Sequence, residues 1–132
     1  MADDSVMQPG MNFTERPIVS VVDDDESVRE SLPDLLRKFG FAARAFSSAE
    51  EFLSSEVGET KCLILDVAMP GMTGLDLQQE LTRRGHKVPI IFITAQKDIN
   101  IREQAFRQGA AQVLYKPFSA AALLEALKET LR

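Results

Sequence analysis

Five short apolar runs are each followed by a segment whose hydrophobic residues recur at helical spacing, with no hairpin signal joining any two runs. This alternation constrains the fold more than any other feature of the chain. Strands separated by helices pair in parallel through right-handed crossovers, and the sheet is covered on both faces. Near-continuous apolar strands fit that double burial. The order predicts an α/β protein built as a doubly wound (βα)5 sandwich.

Ile18–Val22 is β-branched and unbroken, and reads as the first strand. Val28, Leu32, Leu35, Leu36 and Phe39 then recur at helical spacing until Gly40 stops the pattern. Pro33 lies inside this helix and is expected to kink or loosen it, because proline removes a backbone donor. Residues 41–46 read as a second strand, and Ser48-Ala49-Glu50-Glu51 has the capping-box spacing of a short helix. The strongest strand covers residues 61–65, followed by a loop built on Met69-Pro70-Gly71 and Gly74. Thr73 and Asp76 are spaced to cap a third helix, with Leu77 and Leu81 on its apolar side. Residues 89–94 make a fourth strand and residues 98–108 a weakly amphipathic helix whose best apolar face is Ile101, Ala105 and Phe106. Gln112–Tyr115 forms the last strand, and Ser119 caps a helix with Leu124, Leu127 and Leu131 on one side.

The length, 132 residues, suits one compact domain. Residues 1–16 carry Asp3, Asp4, Pro9 and Gly10 without periodicity, so a flexible tail is expected there and the domain over residues 17–132. No apolar run is long enough to span a bilayer and the first residues make no signal peptide, from which a cytoplasmic location is expected. A net charge of −5 argues against nucleic acid as a direct partner. The single Cys62, within Cys62-Leu63-Ile64-Leu65, reads as a buried small hydrophobe, and the single His86 as a solvated loop side chain.

In a doubly wound sheet, ligands bind beyond the carboxyl ends of the strands. The first strand ends in Asp23-Asp24-Asp25, the third in Asp66, the fourth in Thr94 and the fifth in Lys116-Pro117. Any one of these has an ordinary reading as a solvated loop residue. Together they bring several carboxylates, a hydroxyl and an ammonium to one rim. Converging carboxylates repel unless a cation sits among them, and oxygen ligands without histidine or thiolate favour Mg²⁺ or Mn²⁺ over zinc. Cation, lysine and hydroxyl around a nucleophilic carboxylate are the equipment of phosphoryl transfer. Asp66 is the expected acceptor, since it alone combines a strand end with the Met69-Pro70-Gly71 loop.

Val22-Asp23-Asp24-Asp25, Leu65-Asp66-Val67-Ala68-Met69-Pro70-Gly71, Ile93-Thr94-Ala95 and Tyr115-Lys116-Pro117-Phe118 resemble the four motifs of response-regulator receiver domains, over about residues 17–131. The resemblance implies a flavodoxin-like sheet of order 2-1-3-4-5 and a signalling switch phosphorylated on Asp66 by a sensor histidine kinase. It implies Mg²⁺ bound by Asp24, Asp66 and the Ala68 carbonyl, with Asp23 acting through water. Thr94 and Lys116 would contact the phosphoryl group, and the Lys116–Pro117 bond would be cis. Such a domain catalyses only its own phosphorylation and dephosphorylation. It would signal through its fourth helix, fifth strand and fifth helix, to a downstream effector or a second copy of itself.

The pattern departs from the family at Val113, where an aromatic ring commonly stands three residues before the lysine. Tyr115 on the same strand face is the candidate replacement, with Phe106 on the neighbouring helix. The alternative reading is a receiver-like interaction module that works without phosphorylation. A P-loop or dinucleotide site would need a glycine-rich first turn, whereas the turn here is Asp-Asp-Asp-Glu-Ser. A phosphoaspartate hydrolase acting on small substrates would need a cap for which this chain has no segment.

Overall fold

The computed structural model describes residues 16–132, so the tail expected over residues 1–16 lies, apart from Arg16, outside the described residues. The elements alternate as anticipated: β1 (Ile18–Val22), α1 (Glu26–Lys38), β2 (Ala42–Phe46), α2 (Ala49–Leu53), a 3₁₀ turn (Val57–Glu59), β3 (Thr60–Asp66), α3 (Gly74–Arg83), β4 (Ile90–Thr94), α4 (Ile99–Arg107), β5 (Gln112–Tyr115) and α5 (Ala120–Leu131). The strands form one parallel sheet of order β2-β1-β3-β4-β5. The chain starts near the middle, moves to the β2 edge, then returns past β1 and builds outward to β5. The crevice where that direction reverses lies between β1 and β3.

Strand alternation divides the core in two. Val19, Val21, Cys62, Ile64, Ile91 and Ile93 pack with Leu32 and Leu36 of α1 and Leu123 and Leu127 of α5. Val22, Leu63, Leu65 and Phe92 pack on the other face with Phe52 of α2, Leu77 and Leu81 of α3, and Ala105 of α4. Cys62 is fully buried, and burial pushes its thiol up to about 12, which keeps it inert.

Caps fix where the helices begin. Asp25 accepts from Ser27 N–H to open α1, and Ser48 accepts from Glu51 N–H to open α2. Only half of the expected box forms at α2, because the Glu51 carboxylate turns to the Ser47 N–H and hydroxyl. At α3 the reciprocal box between Thr73 and Asp76 is complete. After α1, Gly40 takes φ +99°, a left-handed conformation that lets Phe41 N–H return to the Leu36 carbonyl.

Proline does not interrupt the first helix, and one apolar stripe differs from the expected one. Helix α1 runs through the buried Pro33 without interruption, so the proline does not end it. In α5 the core-facing residues are Leu123, Ala126 and Leu127, with Leu131 at the edge, while Leu124 is only half-buried. Leu127 and Leu131 keep the places read from leucine spacing, and Leu123 takes the inward place expected of Leu124.

Candidate functional site

The strand ends meet at the carboxyl edge of the sheet. Asp23 follows β1 directly, Asp66 closes β3, Thr94 closes β4, and Lys116 follows β5. Asp23, Asp66 and Thr94 are all nearly inaccessible, at 0%, 5% and 1% exposure, whereas Asp24 faces solvent. Buried carboxylates at this density need partners. The Asp23 Oδ2 accepts from Lys116 Nζ at 2.8 Å, and its Oδ1 accepts from Asp25 N–H at 3.0 Å. The same ammonium lies 3.6 Å from Asp66 Oδ1, so one lysine spans the carboxylates of two neighbouring strands. Lys116 N–H also donates to the Thr94 carbonyl at 2.8 Å, and the Lys116–Pro117 peptide is cis, as expected.

The electrostatics are unbalanced toward negative charge. Burial, then the neighbouring Asp23 charge, pushes the Asp66 carboxyl up to about 7, although Lys116 pulls the other way. Burial by itself would lower Lys116, but its hydrogen bond to Asp23 and the charges of Asp66 and Asp23 raise it above an ordinary lysine.

One oxygen each from Asp23, Asp24 and Asp66 lies within 4.8 Å of the others, and no other cluster of this kind occurs among the described residues. The donors are all hard oxygens, with one ammonium set against three carboxylates. That set fits a small dication such as Mg²⁺ or Mn²⁺. Because both Asp23 oxygens are already engaged, Asp24 and Asp66 are the freer ligands.

Ala68 lies exposed in the loop two residues beyond Asp66. Val113 pairs with Phe92 and packs half-buried on the α2–α3–α4 side, while Tyr115 pairs with Thr94 at the end of β5. Phe106 is not part of the inward face of α4: it is 37% exposed, with the Arg102 guanidinium 4.9 Å from its ring centroid. Ala105 takes the inward position and Ile101 the edge, so the helix phase turns the next residue outward. His86 lies at the opposite end of the molecule, in the loop beyond α3, and is partly exposed.

Three site contacts escaped sequence reasoning. Asp25 serves as the α1 cap, for which an acid before Glu26-Ser27 was the available signal. Arg29 Nη1 donates to the Asp23 carbonyl at 2.9 Å, which only the fold reveals. Gly74 is the first residue of α3, not part of the loop. A Cβ there would collide with the Asp66 carbonyl and press on Val67, while Gly74 N–H donates to the Val67 carbonyl at 2.9 Å.

The sequence model of the response regulator receiver domain matches residues 19–128, and the chain belongs to that family. Five parallel strands in the order 2-1-3-4-5 are the family's sandwich, flavodoxin-like as expected. Among similar proteins, Nodulation protein W of Bradyrhizobium diazoefficiens is 47% identical over 85% of this chain and 50% of its own length. Response regulator protein TmoT of Ectopseudomonas mendocina is 43% identical over 87% of this chain and 53% of its own. The chain thus spans about half the length of these curated relatives. Among solved structures, response regulator StyR superposes with a TM-score of 0.81 at 47% identity, covering 88% of this chain and 59% of that one. The crystal structure of FixJ-N superposes with a TM-score of 0.79 at 33% identity, covering 88% of this chain and 94% of that one.

Proposed function

We propose that this receiver domain is a phosphorylation-activated switch in which Asp66 takes a phosphoryl group from a sensor histidine kinase. The observation that carries the reading is the Lys116 ammonium held between Asp23 and Asp66 at the switch-point crevice. An Asp66 oxygen bonds to phosphorus as the phosphorus–nitrogen bond of a phosphohistidine breaks, and the electron pair leaves on the imidazole. Lys116 is near enough to follow a phosphoryl oxygen, and the Thr94 hydroxyl supplies a further donor. Water attack on the acyl phosphate returns the carboxylate and releases phosphate. The domain needs no other substrate, so its catalysis is confined to its own phosphorylation state.

Mg²⁺, or Mn²⁺, would be held by Asp24, Asp66 and the Ala68 carbonyl, with Asp23 acting through water. When bound, it offsets the negative charge of the carboxylates and the incoming phosphoryl oxygens. Burial and the Asp23 charge push the Asp66 carboxyl up to about 7, where a protonated carboxyl is a poor nucleophile, and a bound dication would favour its ionised form.

The output face is α4, β5 and α5, where Phe106 is exposed and Tyr115 sits beside Thr94. A downstream effector, in the same polypeptide or another, or a second activated copy would dock there, and the domain itself contacts no nucleic acid. No helix among the described residues is long and apolar enough to cross a membrane, and a cytoplasmic location is proposed on the kinase partnership. Labelling with acetyl phosphate and Mg²⁺ tests the central claim. A base-labile, acid-stable adduct is expected in wild type and absent in Asp66→Asn, and equal labelling of the two would refute Asp66 as acceptor.

A further inference from the structure

The carbonyl of Asp23 belongs to the peptide that leads into Asp24, just past the end of β1. Asp23 N–H still donates to the Phe46 carbonyl of β2 at 3.1 Å, continuing the ladder. The Asp23 carbonyl leaves it: among the described residues no loop or cap amide donates to this oxygen. It accepts instead from Arg29 Nη1 at 2.9 Å, a half-buried guanidinium that reaches back from the first turn of α1.

That place is unfavourable for a cation, because the peptide dipoles make a helix amino terminus positive. An ion pair with Asp23, Asp24 or Asp25 would compensate, yet Arg29 makes none among the described residues, and the ion pairs of this rim belong to Lys116. The Arg29 donor goes to a neutral carbonyl, so the side chain acts on the backbone of the turn. Asp24 is the residue that this backbone directs. It is exposed, and its carboxylate has no hydrogen-bond or ion-pair partner among the described residues. The Asp23 carbonyl, the Asp24 nitrogen and the Asp24 Cα lie in one rigid peptide plane. Holding the carbonyl therefore sets the direction in which Asp24 starts. One Asp24 oxygen lies within 4.8 Å of oxygens from Asp23 and Asp66.

We propose that Arg29 is a positioning residue for the cation site, whose bond to the Asp23 carbonyl holds the Asp24 carboxylate toward Asp66. The inference rests on the reading of this crevice as a Mg²⁺ site. Lys116 balances charge there, and Arg29 sets direction. A ligand released from such a hold must be ordered when the ion arrives, which costs affinity. Partners one bond removed from a metal ligand typically change affinity by about 10–100-fold.

The test is a titration of the metal-free ¹⁵N-labelled chain with Mg²⁺, read from the backbone amides of Asp24, Asp25 and Val67. Wild type is compared with Arg29→Met, which keeps a long unbranched side chain but has no donor. The two effects of this substitution have opposite signs. Removing a positive charge beside the crevice tightens a dication, whereas releasing the Asp23–Asp24 peptide weakens it. Arg29→Met is expected to bind Mg²⁺ about tenfold more weakly than wild type. Arg29→Ala should do the same, and decides the matter if the methionine variant does not fold. A merely structural role would lower the melting temperature of the metal-free chain and leave the dissociation constant for Mg²⁺ unchanged. An unchanged or smaller dissociation constant in the variant would overturn the proposal. Absence of saturable shifts in wild type would overturn the Mg²⁺ site and this inference with it, whereas wild-type binding matched by the variant removes the role of Arg29 alone.

Discussion

Asp66 carries the clearest consequence at the scale of a single residue. Its carboxyl rises from the ordinary 3.8 to about 7 in the metal-free protein. The folded state then keeps a proton that the unfolded chain has already released, so this group's contribution to stability is full below about pH 4 and disappears as pH rises through about 7. Metal-free wild type should lose melting temperature relative to Asp66→Asn over that interval. Parallel melting curves across the range would show that the carboxyl titrates normally. Gly74 gives a second residue-scale expectation. With no room for a Cβ against the Asp66 carbonyl, Gly74→Ala must displace backbone on one side or the other. Overpacking of this kind costs on the order of 1–3 kcal/mol, read by urea unfolding, and acetyl phosphate labelling should fall as well. The strand-end polar residues were legible in the sequence because each interrupts an apolar run. The requirement at Gly74 was not, since it arises from the approach of α3 to a backbone eight residues earlier.

At the scale of elements, strand positions were read to within a residue because the apolar runs are bounded by charges and prolines. Helix phase was read less well. In α5 several apolar residues allow more than one inward stripe, and packing selects Leu123 over Leu124. Leu123→Ala should therefore cost about 2–5 kcal/mol, whereas Leu124→Ala should cost well under half as much. Similar losses for the two would restore the phase inferred from spacing. Helix α4 differs from its neighbours in having Ala105 as its one fully buried residue. So little apolar anchorage makes it the element most easily displaced. Its aromatic residue, Phe106, points outward under Arg102, and no periodicity argument separates an exposed ring from a buried one when Ala105 stands beside it.

The whole molecule is a sheet whose two buried faces hold three carboxylates together at one edge. Binding of a dication there should stabilise the entire fold. At a free Mg²⁺ concentration about a hundredfold above the dissociation constant, linkage predicts about 2.7 kcal/mol, visible as a rise in melting temperature. Asp24→Ala should abolish the rise while leaving the metal-free protein no less stable, because it removes a like charge. A rise of the same size in that variant would place the cation elsewhere. The sheet order was foreseen only through family resemblance, because alternation of strands and helices does not by itself say on which side of β1 each strand is added.

The Thr94 hydroxyl has one further consequence. Its oxygen accepts from Gln96 N–H at 3.0 Å, and Asp98, two residues on, caps α4. One of the oxygen's two lone pairs is thus engaged locally, and the hydroxyl hydrogen can point elsewhere. Any rotation of Thr94 must either drag the Gln96 amide along or break that bond. The side chain thus ties the end of β4 to the loop that starts α4, and a Thr94 that turns is expected to pull on that loop through backbone.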